Sequence, residues 1–296
     1  MSIEEGVLKE MEIQSFPIII GIGAPKCGTS WFFEALSRSS NIVTSKRKEI
    51  SYYSSDIKFQ RGLNWYLEHF EVVQNQTKLS SYNKYLCEIS VTYSYNPSQT
   101  AARISKDFPN ANIVLFVRNP ADRTKSHVRW LRQLQYGDVV NTTAILDKHP
   151  EITSSNDYQG IVQSYLEHFT NKQILVIRYE SIKNNGILTV KNFFDHFGLD
   201  HGNLSSIRKE KIGKTITPRF RFLESLRIKI YKRLTKTRNY KTIRFVKLTK
   251  MPELYRFLND NNRKNAKTNY LFSNELQDQE YERFFGWLRQ NKIEII

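Results

Sequence analysis

Short apolar runs alternate along this chain with stretches of helical period. Residues 16–22, 41–45, 85–89, 112–118 and 173–178 are compact and rich in Ile, Val and Leu, and they predict strands. Between and after them, residues 29–38, 62–70, 97–107, 120–134, 158–170 and 187–197 carry apolar positions at helical spacing and predict helices. The alternation predicts an α/β fold with a parallel central sheet and helices on both faces. Ligands of such sheets lie at the carboxyl ends of the strands. Residues 141–156 are polar and without period, and they predict a loop at the mouth of the site. The segment YERFFGWLRQN, from Tyr281 to Asn291, predicts a packed amphipathic helix within a helical C-terminal part. There is no repeat and no Pro/Gly/Ser linker, so a single domain over residues 1–296 is expected.

The first strand runs into FPIIIGIGAPKCGTSW, residues 16–31. An apolar run ends in Gly21 and Gly23, a loop carries Lys26, Cys27 and Gly28, and Thr29 and Ser30 open a helix. Glycines let the backbone approach a ligand, main-chain N–H groups turn inward, and the helix N-terminus adds positive potential. Lys26 supplies a full charge and the two hydroxyls supply further donors. A nucleoside-triphosphate loop reads GxxxxGK[ST]. Gly23 and Gly28 have that spacing here, but the lysine precedes Gly28, which argues against ATP or GTP.

A second phosphate-binding pattern follows about ninety residues on. IVLFVRNPADRTKS, residues 113–126, is a buried strand with Arg118 at its carboxyl end, Pro120 opening a helix, and Ser126 two turns into it. An arginine so placed offers bidentate bonds to a phosphate. A third block, residues 46–70, reads KRKEISYYSSDIKFQRGLNWYLEHF and sets Lys48 and Glu49 ahead of Tyr52 and Tyr53, then Phe59, Gly62, Trp65, Tyr66 and Phe70.

PKCGTSW resembles the 5′-phosphosulfate loop of sulfotransferases that use 3′-phosphoadenosine-5′-phosphosulfate (PAPS), with Cys27 at the variable position. RNPADRTKS resembles the same family's 3′-phosphate segment, and the 46–70 block is similar to that of heparan-sulfate-type and bacterial carbohydrate sulfotransferases. The resemblance implies a P-loop-type three-layer α/β/α fold and PAPS as cosubstrate. It places Lys26, Cys27, Gly28, Thr29, Ser30 and Trp31 on the 5′ side and Arg118 and Ser126 on the 3′-phosphate. It makes Glu49 the general base. On chemical grounds apolar neighbours such as Tyr52 and Tyr53 are expected to raise its pKa, Lys26 to stabilise the leaving oxygen, and Lys48 either to oppose that shift or to orient the sulfuryl oxygens, which puts Lys26 and Lys48 in the catalytic group. Trp31 either stacks on adenine or is a core tryptophan. Residues 211–219 fall where the family closes a loop over the cosubstrate, which makes Lys214 a candidate contact. Residues 87–93, CEISVTY, resemble the family's E-x-S-x-x-Y strand end. In QILVIRYE, residues 173–180, Tyr179 and Glu180 are expected to be structural. His127 is expected to stand behind the site, and Asp122 and Arg123 to brace the loop.

Sulfuryl transfer needs an in-line nucleophile and charge stabilisation, with little covalent work by the protein. Sulfate carries less charge than a terminal phosphate, so no metal is expected. The expected acceptor is a hydroxyl or amine of a carbohydrate or glycolipid.

Charge changes the picture in one region. The net charge is +16, and residues 201–250 hold sixteen Lys/Arg against two acids. Within them Arg219–Lys236 has helical apolar spacing. Three readings stay open: a solvated helix near the anionic cosubstrate, a contact with an anionic membrane, or a hold on a polyanion. The chain has two cysteines, Cys27 and Cys87, which favours a reducing compartment. With no apolar run of membrane-spanning length and no leader pattern, a cytoplasmic enzyme is expected, or one whose anchor lies elsewhere. The rival readings are a P-loop kinase for nucleotides or small molecules, and a basic protein that binds nucleic acid or membrane through residues 201–250.

Overall fold

The computed structural model describes residues 17–70, 85–132, 141–201 and 274–296. The chain divides into two compact units. The first comprises Met1–Val128, Val139–Ile212 and Phe272–Ile296, and the second Arg129–Asp138 and Gly213–Leu271. Of the second unit, only residues 129–132 are among the described ones. The basic segment 202–250 and Lys214 lie outside them.

The first unit is built on a six-stranded sheet. Its strands are β1 (Ile18–Gly23), β2 (Ile42–Thr44), β3 (Tyr85–Ile89), β4 (Asn112–Val117), β5 (Ile174–Arg178) and β6 (Glu294–Ile295). Their order is β2-β3-β1-β4-β5-β6, and every pairing is parallel. All six residues of β1 are buried, as are all but the first of β4. Near-continuous apolar strands are what a parallel sheet covered on both faces requires. The helices that follow are α1 (Thr29–Leu36), α2 (Asp56–Phe59), α3 (Gly62–Leu67), α4 (Pro97–Asp107), α5 (Pro120–Leu131), α6 (Thr142–Lys148), α7 (Glu151–Ser154), α8 (Tyr158–Leu166), α9 (Tyr179–His196) and α10 (Asn274–Gln290). The chain crosses from one side of β1 to the other between β3 and β4, so the ends of β1, β3 and β4 face one switch point.

Two expectations are corrected here, and one strand is added. Residues 141–156 form α6 and α7 where a loop was expected. Asn141 caps α6 by accepting the Thr143 N–H at 3.3 Å, and Ile145 and Ile152 anchor the two helices in the core. Two apolar anchors are too few to show a period. Helix α9 begins at Tyr179, earlier than the predicted 187, because a first short piece is joined across a kink at Asn185. The Asn185 side chain caps the second piece by accepting the Leu188 N–H at 3.1 Å. The chain end after α10 adds β6 to the sheet. Ile296 N–H donates to Val176 O at 2.9 Å, and Arg178 N–H donates to Ile296 O at 2.8 Å.

Candidate active site

The loop after β1 turns on two residues with left-handed backbone, Lys26 (φ 71°) and Gly28 (φ 86°). Gly28 is the N-cap of α1, and the N–H groups of Trp31 and Phe32 donate to its carbonyl at 3.0 and 3.1 Å. A Cβ at Gly28 would stand 3.1 Å from the Tyr179 ring, so glycine is needed for shape as well as for φ. The first N–H groups of α1 point out of its end, as in every helix, and make this terminus a site of positive potential.

Arg118 leaves β4 directly beside this loop. Its Nη1 donates to Lys26 O at 3.4 Å, although the two residues are 92 apart in sequence. Its guanidinium lies over the Tyr179 ring at 4.3 Å and is 3.8 Å from Asp122. Tyr158 holds its backbone: the Tyr158 hydroxyl donates to Arg118 O at 2.7 Å, and Arg118 N–H donates back at 3.3 Å. Burial lowers the Lys26 ammonium to about 8, and the positive charges of Arg118 and Lys48 push the same way. Cations held this close to one another stabilise an anion placed among them.

The third part is the segment before α2. Lys48 Nζ donates to Glu49 Oε1, and Val91 N–H donates to Glu49 Oε2 at 2.8 Å. Glu49 N–H donates to Ile89 O at 3.1 Å, which ties the segment to the end of β3. Lys26, Lys48, Glu49 and Arg118 therefore come together at the carboxyl ends of β1, β3 and β4.

A model of the sulfotransferase domain matches residues 17–284. The chain belongs to the PAPS-dependent sulfotransferase family. Among curated proteins it is 31% identical over 128 residues to the membrane-associated sulfotransferase kil1 of Dictyostelium discoideum, covering 42% of this chain and 26% of that one. It is 25% identical over 211 residues to bifunctional heparan sulfate N-deacetylase/N-sulfotransferase 1 of Xenopus laevis, covering 62% of this chain and 23% of that one. The chain thus spans about a quarter of the length of these relatives. A crystal structure of a sulfotransferase from Alicyclobacillus acidocaldarius shares the fold with a TM-score of 0.55 at 24% identity, over 66% of this chain and 87% of that one. The family's cosubstrate is PAPS.

In this member of the family the remaining candidates are placed as follows. Thr29 is buried, Ser30 is exposed and Ser126 is half-buried on α5. The Cys27 thiol is fully buried, donates to Pro25 O at 3.7 Å, and is pushed up to about 12 by burial, so it is a neutral group beneath the loop. Trp31 is 7% exposed, and its indole fills the space beside Gly186, where a Cβ would be 2.5 Å from the ring. Tyr52 and Tyr53 turn their rings into an aromatic cluster, with Tyr52 stacked on Tyr66 at 5.0 Å and edge-on to Tyr53 at 4.8 Å. Phe59 and Trp65 pack on the same cluster. Burial, with Arg123 and Lys26 adding to it, holds the buried His127 down to about 3, so its imidazole is neutral. Arg123 is fully buried and braces the α7 region, donating from Nε to Asn156 Oδ1 at 2.6 Å and from Nη2 to Ile152 O. Among the described residues, no group of three or more His, Cys, Asp or Glu is placed to hold a metal ion, and no helix is long and apolar enough to cross a membrane.

One residue was not among the candidates. Glu88, on β3, is completely buried. Burial raises its carboxyl to about 7, although the hydroxyls of Ser90, Tyr93 and Tyr66 donate to it and oppose the rise. Its signal in the sequence was the E-x-S-x-x-Y spacing, which the structure turns into a hydrogen-bonded unit.

Proposed function

We propose that this chain transfers the sulfuryl group of PAPS to a hydroxyl or amine of an acceptor, with Glu49 as general base. The observation that carries the reading is the meeting of two anion-binding elements, the loop at Lys26 and the strand end at Arg118, beside a paired carboxylate. A cosubstrate phosphorylated at both 5′ and 3′ needs two such elements at once. Lys26, Gly28, Thr29 and Ser30 then take the 5′ side, and Arg118 with Ser126 takes the 3′-phosphate.

In the transfer, the acceptor oxygen or nitrogen forms a bond to sulfur as the bridging S–O bond breaks. The electron pair of that bond goes to the 5′-phosphate oxygen of the leaving 3′-phosphoadenosine-5′-phosphate (PAP). The acceptor proton goes to the Glu49 carboxylate. Charge grows on the bridging oxygen, so the Lys26 ammonium and the N–H groups that open α1 favour the transition state over the ground state. Glu49 takes the proton on Oε1 as Lys48 moves from it toward the sulfuryl oxygens, while Val91 N–H keeps Oε2 fixed.

A carbohydrate or glycolipid is the acceptor we favour. The supporting likeness is to proteins described as heparan sulfate N-deacetylase/N-sulfotransferases. A peripheral membrane contact through residues 201–250 belongs to the same proposal, supported by their charge and by the likeness to a sulfotransferase described as membrane-associated. Calorimetric titration with PAP, and with ATP as control, tests the cosubstrate reading. PAP is expected to bind and ATP to bind far more weakly, and Arg118→Ala is expected to weaken PAP roughly 10- to 100-fold through loss of charge-assisted bonds. Equal binding of both nucleotides, unchanged by Arg118→Ala, would overturn it.

A further inference from the structure

The segment that carries Glu49 holds an unfavourable backbone. Glu49 (φ 67°) and Ser51 (φ 55°) are both left-handed, although neither is glycine. Such a conformation persists only where the surroundings over-determine it. Side chains hold the main chain beyond Glu49: Ser51 N–H donates to Ser90 Oγ at 2.9 Å, Tyr52 N–H donates to Tyr93 OH at 3.1 Å, and Lys58 Nζ and Arg103 Nη1 donate to the carbonyls of Ile50 and Tyr53. The first two run through hydroxyls, and a hydroxyl has one proton that must go elsewhere if its lone pairs are to face an amide. Both protons go to Glu88. Ser90 Oγ donates to Glu88 Oε1, and Tyr93 OH is 2.9 Å from each carboxylate oxygen. Tyr66 OH donates to Oε2 at 3.0 Å from the other side. An ionised carboxylate only accepts, so it is the group that turns all three O–H bonds inward.

We propose that Glu88 is a positioning residue, which holds the Glu49 segment by setting the direction of the Ser90 and Tyr93 hydroxyls. The proposal rests on the reading of Glu49 as the base, because that gives the segment its purpose. The relay runs from the amides of Ser51 and Tyr52, through two hydroxyls, to one buried carboxylate. Protonating Glu88 places an O–H where an acceptor was, and one hydroxyl must turn away from its amide. Burial puts that titration at about 7. The charged groups that bear on Glu88 are Glu49 and Lys58. Cys87 and the tyrosines 53, 66, 93 and 165 also feel its charge, and burial keeps all five neutral across the same range.

Amide hydrogen exchange over residues 49–53 of the full chain tests this without any substrate. Corrected for intrinsic rates, protection of the Ser51 and Tyr52 amides is expected to fall roughly tenfold between pH 8 and pH 5.5, the size of one lost hydrogen bond. Glu88→Gln is expected to remove that step. Tyr66→Phe takes away a donor that favours the ionised form, so it is expected to keep the step and move it to higher pH. Flat protection across this range in the wild-type chain, or a step that survives in Glu88→Gln, would overturn the proposal. If Glu88→Gln does not fold, the wild-type profile and its displacement in Tyr66→Phe decide. The base assignment stands or falls separately, on turnover of Glu49→Gln.

Discussion

The two halves of the site are built in opposite ways. The half proposed to bind phosphate rests on main chain: a glycine at the N-cap of α1, a left-handed Lys26, and Arg118 leaning on the Lys26 carbonyl. The half proposed to carry the base is made by side chains from segments far apart, with Glu49 held by Val91 N–H and its neighbours held by Ser90 and Tyr93 over Glu88. Each half holds one ionisable group away from its ordinary pKa. Lys26 is lowered to about 8 and Glu88 is raised to about 7. Burial is the main cause in both, but the neighbours differ. The positive charges of Arg118 and Lys48 push Lys26 further from its ordinary value, whereas three hydroxyl donors draw Glu88 back toward its own.

The largest test of this contrast is Glu49→Gln. Transfer from PAPS, scored on a panel of sugars, glycolipids and phenols, is expected to fall by roughly 10²–10⁴, with PAP affinity unchanged in calorimetry. Near-normal turnover would remove Glu49 as base and leave the phosphate half standing alone.

Next in size is the cost of keeping Glu88 ionised. Its folded pKa lies above the ordinary carboxyl value of 4.5. The folded chain therefore holds a proton that the unfolded chain has lost between those values. The stability this contributes is full below about 4.5 and is lost as pH rises through about 7. The loss is on the order of 3 kcal/mol. Denaturant unfolding of the wild type and Glu88→Gln across pH 4.5–8 measures it, and parallel curves for the two would contradict it.

For the phosphate half, PAP affinity is expected to be level between about pH 7, above the ionisation of its own phosphates, and pH 8, and to drop about tenfold per pH unit above that, because Lys26 must then take up a proton on binding. Calorimetry in buffers of different ionisation enthalpy would show that uptake, and its absence would separate Lys26 from the anion. The smallest effect expected is at Gly186. Alanine there would press on the Trp31 ring and cost about 1–3 kcal/mol in thermal unfolding. A variant as stable as wild type would show that Trp31 has room to leave the core.

Legibility followed the same division. The loop after β1 and the place of Arg118 were readable because each is a local pattern, with glycines at fixed spacing after an apolar run and an arginine at a strand end. The strand and helix order was readable for the same reason. Glu49 stood out only through a family resemblance, since a Lys-Glu pair in a polar run has no chemistry of its own. Glu88 was legible only as part of the E-x-S-x-x-Y spacing; the part it takes was not, because Tyr66, Ser90 and Tyr93 are ordinary residues until folding sets their hydroxyls around one carboxylate. Helices α6 and α7 were missed because two isoleucines carry their packing, and β6 because two residues show no period.

By itself the sequence determined five of the six strands, the glycine loop after the first and the arginine at the end of another ninety residues on, since these depend on backbone preference and local spacing. Only the tertiary structure decided that Arg118 touches Lys26, and that the Ser51 and Tyr52 amides beyond Glu49 meet hydroxyls that turn to Glu88. Those facts arise where strand ends from distant parts of the chain converge and Glu88 is buried. Charge and hydrogen-bond direction there depend on burial, which no linear spacing records.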